Sequence, residues 1–111
     1  MPYIPQEERK QLDPLIQQLV EQIVSMTGKD LSTADGRLNY TICKLLIGVL
    51  DLEKNPKYHK FNTAAGVLEC VKTELYRILA APYEEEKIAE NGHILAPKWI
   101  TDAMRAAKEG N

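Results

Sequence analysis

Nine polar and aromatic residues of this chain fall at helical spacing and could line a ligand site: Asn39, Tyr40, Glu69, Thr73, Tyr76, Arg77, Tyr83, Lys87 and Asn91. Each type has a suitable chemistry. An arginine such as Arg77 pairs with a phosphate, and a tyrosine such as Tyr76 stacks on a flat ring. A carboxylate such as Glu69 accepts a hydrogen bond from a ribose hydroxyl or an amine. The set therefore indicates recognition of a phosphorylated, ring-containing molecule.

A structural interpretation of the same residues stays open. The strip from Glu69 to Arg77 is also typical of a solvated helix face, with an ordinary pair between Glu74 and Arg77. In this interpretation Asn39 only assists the helix cap, and Tyr40 is only an amphipathic residue in the wall of the helix. The alternative is that an amide and a phenol beside a helix N-terminus bind an anion or the edge of a base.

Catalytic motifs are weak in this sequence. His59 and His93 both fall in predicted loops, without a serine or cysteine nucleophile in a recognisable motif. Glycine-rich phosphate loops and paired-histidine metal spacings do not occur. We therefore predict no catalytic residue, no metal and no cofactor. A metal site made of Glu69, Glu84 and a histidine is the remaining alternative.

The elements that must position these residues are helices, and the central one is predicted over 62–92. Apolar residues recur there at three- and four-residue steps: Ala64, Val67, Leu68, Val71, Leu75, Ile78 and Leu79. Asn62 is the predicted N-cap and Gly92 the stop. Pro82 lacks a backbone donor, so the helix must kink or restart there.

Two helices are predicted before this central one. The first begins near Gln6, and Asp13-Pro14 either divides it into two helices or kinks it, before Gly28 stops it. The second covers 37–53 and is apolar on nearly every side, with Asp35 or Ser32 as its cap. Asn55-Pro56 ends it.

The remaining segments complete the predicted fold. The residues KYHKF, 57–61, form a connector, and 93–96 form a short extended link. Pro97 opens a last helix that carries Trp99 and Met104 on one face. No strand-period run is longer than three or four residues. The predicted fold class is all-α, a small bundle of four to five helices with a proline break in the central helix.

Composition sets further bounds. With 111 residues and 44% apolar content, the chain is expected to be one domain with a modest core of its own. A net charge of −2 disfavours binding to a nucleic-acid polymer. Cys43 and Cys70 are expected to be buried small hydrophobes in a reducing compartment. The polar N-terminus is no signal peptide, and the apolar run 45–50 is too short for a membrane span, so the expected location is the cytoplasm.

One part of the chain carries a family resemblance. The run LNYTICKLL, followed by GVLECVKTELYR and APYEEEKIAENG, resembles a family of small uncharacterised proteins common in phage and prophage genomes. The pattern shared with that family comprises Asn39, Tyr40, Gly66, Glu69, Tyr76, Arg77, Pro82, Tyr83, Glu84, Lys87, Asn91 and Gly92. The chain departs from it at His93, which replaces an acid. We therefore divide the single domain, 1–111, into a family-like core, 1–92, and an added C-terminal helix, 93–111.

The resemblance implies a host-interaction role in an infected bacterial cell. Phage proteins of this size and style include sponges that bind nucleotide immune signals. The favoured hypothesis is a non-enzymatic protein that sequesters an ADP-ribose derivative or a cyclic dinucleotide and so inhibits anti-phage defence. The alternatives are a protein–protein interaction module that uses residues 45–52, and a small metal-dependent nucleotide hydrolase. Apolar surplus also predicts a homo-oligomer, with a dimer as the expected size.

Overall fold

The computed structural model describes residues 2–95 and 98–109 of the chain. They contain helices and turns without a strand, and the α-helices are α1 Gln6–Thr27, α2 Ala34–Leu50, α3 Tyr58–Leu75, α4 Ala81–Asn91 and α5 Lys98–Glu109. A π-helical segment, Tyr76–Ala80, joins α3 directly to α4. The all-α prediction, with four to five helices and an irregularity before the proline, is confirmed.

The chain divides into two compact units, Met1–Leu68 and Glu69–Asn111, with the boundary inside α3. The first unit contains α1, α2 and the first part of α3. The second contains the end of α3, the π-helical segment, α4 and α5. We describe each unit by itself.

Helix α1 passes through Pro14 without a break. Of the two alternatives for Asp13-Pro14, the structure therefore shows a single helix. Proline cannot donate to the carbonyl of Lys10, so one bond of the helical ladder is missing there. The predicted stop is confirmed, since Gly28 has φ of 64° and its N–H donates to the carbonyl of Val24 at 3.0 Å.

The turn after α1 is held by short-range polar contacts. The Asp30 carboxylate accepts from both the backbone N–H (3.1 Å) and the hydroxyl (2.7 Å) of Ser32, which begins the 3₁₀ turn Leu31–Thr33. These bonds hold the pKa of Asp30 below its usual value. The guanidinium of Arg37 donates to the hydroxyl (3.0 Å) and the carbonyl (3.1 Å) of Thr33. The predicted caps of α2, Ser32 and Asp35, were wrong: Thr33 is its N-cap and makes no side-chain capping bond, whereas Asp30 caps the 3₁₀ turn that precedes α2.

Helix α2 is shorter at its end than predicted. It stops at Leu50 rather than Glu53, because Asp51 adopts the left-handed conformation with φ of 51°. The N–H of Leu52 then donates back to the carbonyl of Ile47 at 3.1 Å, which closes the helix end.

Helix α3 begins earlier than predicted. It starts at Tyr58, so most of the expected connector 57–61 is helical and Asn62 is not its N-cap. The carbonyl of Lys57 accepts from the N–H groups of Lys60 (3.0 Å) and Phe61 (3.3 Å), which builds the first turn from backbone alone. The amine of Lys60 also donates to the carbonyl of Asn55 at 2.9 Å. The sequence pattern did not predict this turn, because its residues are basic and aromatic rather than apolar at helical spacing.

The C-terminal part follows the sequence more closely. Helix α4 ends at Asn91, and Gly92 has φ of 89°, as its stop role requires. After Gly92 the chain bends, and Nδ1 of His93 accepts from the N–H of Leu95 at 3.0 Å. A helix over 98–109 is present as predicted. The predicted link residue Ala96 and the helix-opening Pro97 lie outside the described residues.

The prediction that the chain buries a modest hydrophobic core of its own was wrong for the described residues. No hydrophobic side chain there is buried, and Thr27, 9% exposed, is the buried residue. Cys43 and Cys70 are exposed free thiols rather than buried hydrophobes. Helix formation satisfies the backbone locally, but burial of an apolar stripe needs a second surface against it. Within each unit that second surface is incomplete.

Candidate functional site

A groove of the second unit runs along the end of α3, the π-helical segment and the start of α4. It has a volume of about 730 Å³ and its walls are mostly apolar. The groove, called the tyrosine groove below, is lined by Lys72, Thr73, Leu75, Tyr76, Leu79, Ala80 and Tyr83. The volume lies in the range of small-molecule and nucleotide sites, roughly 300–1,000 Å³.

Pro82 explains the local geometry of the groove. An α-helical bond at this position would need an N–H that proline lacks, and its ring would crowd the carbonyl of Ile78. The N–H of Ala81 instead donates to the carbonyl of Tyr76, five residues earlier, which is the π-helical pattern. Since a π turn widens the helix by one residue, it changes the angular relation between Tyr76 and Tyr83. Segments of this kind occur frequently at functional sites.

The polar contact of the groove joins its two helical parts. The hydroxyl of Tyr76 donates to Oε2 of Glu84 at 2.8 Å, across the π-helical segment. This hydrogen bond raises the pKa of Tyr76, helped by the negative charges of Glu84 and, more weakly, Glu85. The phenol is therefore held as a neutral donor, with the carboxylate beside it.

One lysine amine lies close to a tyrosine ring, and a second lysine is part of the groove wall. Nζ of Lys87 is 5.5 Å from the ring centroid of Tyr83 and 3.2 Å from Oε2 of Glu90. Lys72 is part of the groove wall, with its amine 3.9 Å from Oε1 of Glu69. Both pairs are exposed to solvent, so neither amine is held strongly by its carboxylate. An anionic ligand in the groove would meet Lys72 in the wall, and one that reaches the ring of Tyr83 would lie near the amine of Lys87.

The structure separates Arg77 from the groove walls. Its guanidinium makes two contacts with Oε2 of Glu74, at 3.0 and 3.2 Å, and it is absent from the groove lining. The pair Glu74–Arg77 that the structural interpretation expected is thus present. Asn91 closes the C-terminal end of α4, and the hydroxyl of Thr73 donates to the carbonyl of Glu69 at 2.9 Å.

Asn39 and Tyr40 lie in the first unit, on α2. Tyr40 lines a hollow of about 350 Å³ between α1 and α2, together with Met26 and Arg37. The side-chain oxygen of Asn39 accepts from Sγ of Cys43 at 3.5 Å. The other seven predicted site residues belong to the second unit, and three of them, Thr73, Tyr76 and Tyr83, share the tyrosine groove.

Sequence reasoning missed four groove residues. The sequence pattern places Leu75 and Leu79 in the apolar stripe of the central helix, and it predicts no site role for Lys72 and Ala80. The apolar stripe and the ligand strip overlap at the π-helical segment, because the added residue rotates one onto the other. Pro82 was the one sequence feature that indicated this change. It predicted an irregular helix at this position but not which side chains the irregularity would bring together.

The described residues contain neither a cluster of metal ligands nor a membrane-spanning helix. No group of three or more His, Cys, Asp and Glu side chains within residues 2–95 and 98–109 is placed to hold a metal ion. The helices in this part of the chain are also too short or too polar to cross a membrane.

Comparison with known proteins gives one match. The family model described as a domain of unknown function, DUF6899, covers residues 1–94. No curated protein and no solved structure matches the chain. The matched region contains α1, α2, α3 and the whole tyrosine groove, and it ends shortly after α4. The chain belongs to the DUF6899 family.

Proposed function

We propose that this protein is a non-enzymatic binding protein that takes a nucleotide-type ligand in the tyrosine groove. The observation that supports it best is the groove itself, about 730 Å³ with two tyrosines in its wall at a π-helical segment. Flat rings suit such walls, because stacking of a base on an aromatic side chain contributes about 1–3 kcal/mol. Tyr83 is more than half exposed, so its ring is open to a ligand.

The charges around the groove suit the polar parts of the same ligand. Lys72 is part of the groove wall, and Lys87, outside the lining, holds its amine 5.5 Å from the ring centroid of Tyr83. A phosphate that displaces the exposed carboxylate partners Glu69 and Glu90 gains charge-assisted hydrogen bonds of its own. Glu84 keeps acceptor capacity beyond the Tyr76 hydroxyl, which a ribose hydroxyl can use. Arg77 contributes only if its contacts with Glu74 give way to a phosphate.

The biological role we propose is sequestration. The resemblance to proteins of phage and prophage genomes supports a protein that binds a nucleotide immune signal of the infected cell and keeps it from host effectors. The ligand classes with both phosphates and stacking rings are ADP-ribose derivatives and cyclic dinucleotides. A sponge of this type works in the cytoplasm of the host and returns its ligand unchanged.

Calorimetry against ADP-ribose derivatives and cyclic dinucleotides tests the proposal. Tyr83→Ala should weaken binding by about fivefold to 150-fold, from lost stacking of about 1–3 kcal/mol. Tyr58→Ala is the matched control, because Tyr58 is an exposed tyrosine at the start of α3, outside the groove. Its affinity should equal that of the unchanged protein. Equal losses in both variants, or no binding of any of these ligands, would contradict the proposal.

A second measurement separates binding from turnover. The complex is heated and the released ligand is compared with the starting material by mass spectrometry. Intact ligand is expected. A hydrolysed product would move the protein to the class of nucleotide hydrolases.

An interaction module for another protein is the second candidate function. The supporting observation is the exposed apolar surface of α2, where Leu45 is 56% and Val49 is 81% exposed. Cross-linking and mass spectrometry in infected cells would then recover a partner whose cross-links lie within residues 45–52. Leu45→Glu should remove that cross-linked product, and cross-links confined to α4 would contradict this candidate.

A further inference from the structure

The first unit carries two exposed apolar seams whose spacing is that of helix-to-helix packing. On α1, Leu12, Leu15, Leu19 and Met26 follow steps of three and four residues, with Gln22 at the one polar position. On α2, Leu38, Ile42, Leu45 and Val49 follow the same alternation. This is the pattern of the a and d positions in a helical bundle. All eight of these apolar residues are exposed.

The two helices already contact each other near their shared turn. Apolar hollows of about 240 and 350 Å³ lie there, between the second half of α1 and the first half of α2. Away from the turn the seams have open space, and Leu15 is 63% and Leu45 56% exposed. Two helices alone leave each other half covered, whereas four helices enclose a continuous core.

We infer that these seams pair with the same seams of a second copy of the chain, which makes a four-helix bundle from two α1–α2 pairs. This inference goes beyond the proposed ligand site and does not depend on it. The ligand groove lies in the second unit, and the seams lie in the first.

Charge favours a second copy as the partner. From Leu12 to Met26 and from Leu38 to Val49 neither seam contains a charged residue. The charged residues of these stretches, such as Glu21 and Lys44, fall on the opposite side of their helices by the helical angle of 100° per residue. A neutral seam meets its own copy without like-charge repulsion, which a strongly charged surface would suffer.

The size of the seams agrees with a dimer. Full burial of a leucine-sized side chain removes about 60–120 Å² of its surface from water. Roughly half of each of the eight side chains is exposed. The apolar area that each copy could bury in a dimer is therefore about 240–480 Å². A standard interface buries about 800 Å² per partner, a little over half of it apolar. The seams also match in length, about 21 Å on α1 and about 16 Å on α2.

Light scattering on the full chain at micromolar concentration tests the pairing. The expected mass is twice the 12.6 kDa of one chain. Leu45→Glu should raise the dissociation constant at least thirtyfold, because a charge at the centre of an interface removes a major contact. Lys44→Glu is its matched control, since it places the same residue on the outer side of the same helix. Leu15→Glu and Gln17→Glu form the corresponding pair on α1, because Gln17 lies on the side of the helix opposite the seam.

Any of three light-scattering results would overturn the inference. The first is a monomer mass for the unchanged chain, and the second is a mass of three or more chains. The third is a dimer that survives Leu45→Glu but is lost in Met104→Glu, which would place the contact on α5. In case the seam variants unfold, hydrogen exchange of the unchanged chain is followed on dilution. Dilution should speed exchange in residues 12–26 and 38–49, and unchanged exchange there would also overturn the inference.

Discussion

The hydrogen bond from Tyr76 to Glu84 sets the electrostatics of the tyrosine groove. It joins Tyr76, the first residue of the π-helical segment, to Glu84 on α4, and it disfavours ionisation of the phenol. Because the pKa of Tyr76 is higher in the folded chain than in the unfolded one, this contact stabilises the fold fully below about pH 10. The stabilisation is lost as the pH rises through the raised pKa.

Glu84→Gln should therefore bring the pKa of Tyr76 down towards the ordinary tyrosine value. The change removes the carboxylate that accepts the hydrogen bond and supplies the nearby charge. NMR titration of the tyrosine ring carbons resolves Tyr76 from the other four tyrosines. Glu85→Gln is the matched control, because Glu85 acts only through its more distant charge and should move the pKa less. A larger effect from Glu85→Gln would show that the hydrogen bond is not the main cause.

At the scale of elements, helix existence was predictable and helix ends were less so. Gly28 and Gly92 ended their helices as expected, because both take a positive φ that other residues resist. The start of α3 was predicted four residues late, since its first turn is built by the Lys57 carbonyl rather than by a capping side chain. The groove was predictable only in part, because a π turn moves residues between faces without a sequence signature of its own.

Pro82→Ala should convert the π-helical segment to an ordinary α-helix. Residue 82 regains an N–H that donates to the carbonyl of Ile78, and the free energy of unfolding should rise by about 1 kcal/mol or more. Tyr76 then turns away from Tyr83, so binding of a groove ligand should weaken although the protein is more stable. Pro14→Ala in α1 is the control, with higher stability and unchanged affinity. Thermal unfolding and calorimetry give the two quantities, and unchanged affinity in Pro82→Ala would show that the π turn does not shape the site.

Replacing Gly66 and replacing Gly28 by alanine should change the stability of the fold in opposite directions. Gly66 lies inside α3, and a Cβ added there meets no atom within 4 Å, so Gly66→Ala should stabilise the helix by about 0.5–1 kcal/mol. Gly28 has φ of 64°, so Gly28→Ala should cost about 1 kcal/mol or more. Urea unfolding measures both. A loss of stability in Gly66→Ala would mean that another surface approaches this part of α3 closely.

For the whole molecule, the unpredicted feature is the missing core. The helical periods indicated which faces are apolar, and apolar side chains of these faces are present and exposed on α1, α2, α3 and α5. What a period cannot indicate is whether the covering surface comes from the same chain. Leu15 and Leu45 have the pattern of core residues, yet both are exposed.

Stability should consequently depend on protein concentration. If the apolar seams of α1 and α2 are covered by a second copy, unfolding also separates the two chains, and mass action links the two steps. A tenfold dilution then costs about 1.4 kcal/mol, which lowers the urea midpoint by on the order of half a molar at a typical slope. Circular dichroism at 5-fold and 50-fold dilution of one stock, at about micromolar levels, makes the comparison. Lys44→Glu should keep this dependence and Leu45→Glu should abolish it. A midpoint that stays constant in the unchanged chain would mean that each copy is stabilised without its partner, so that the exposed seams contribute nothing to folding.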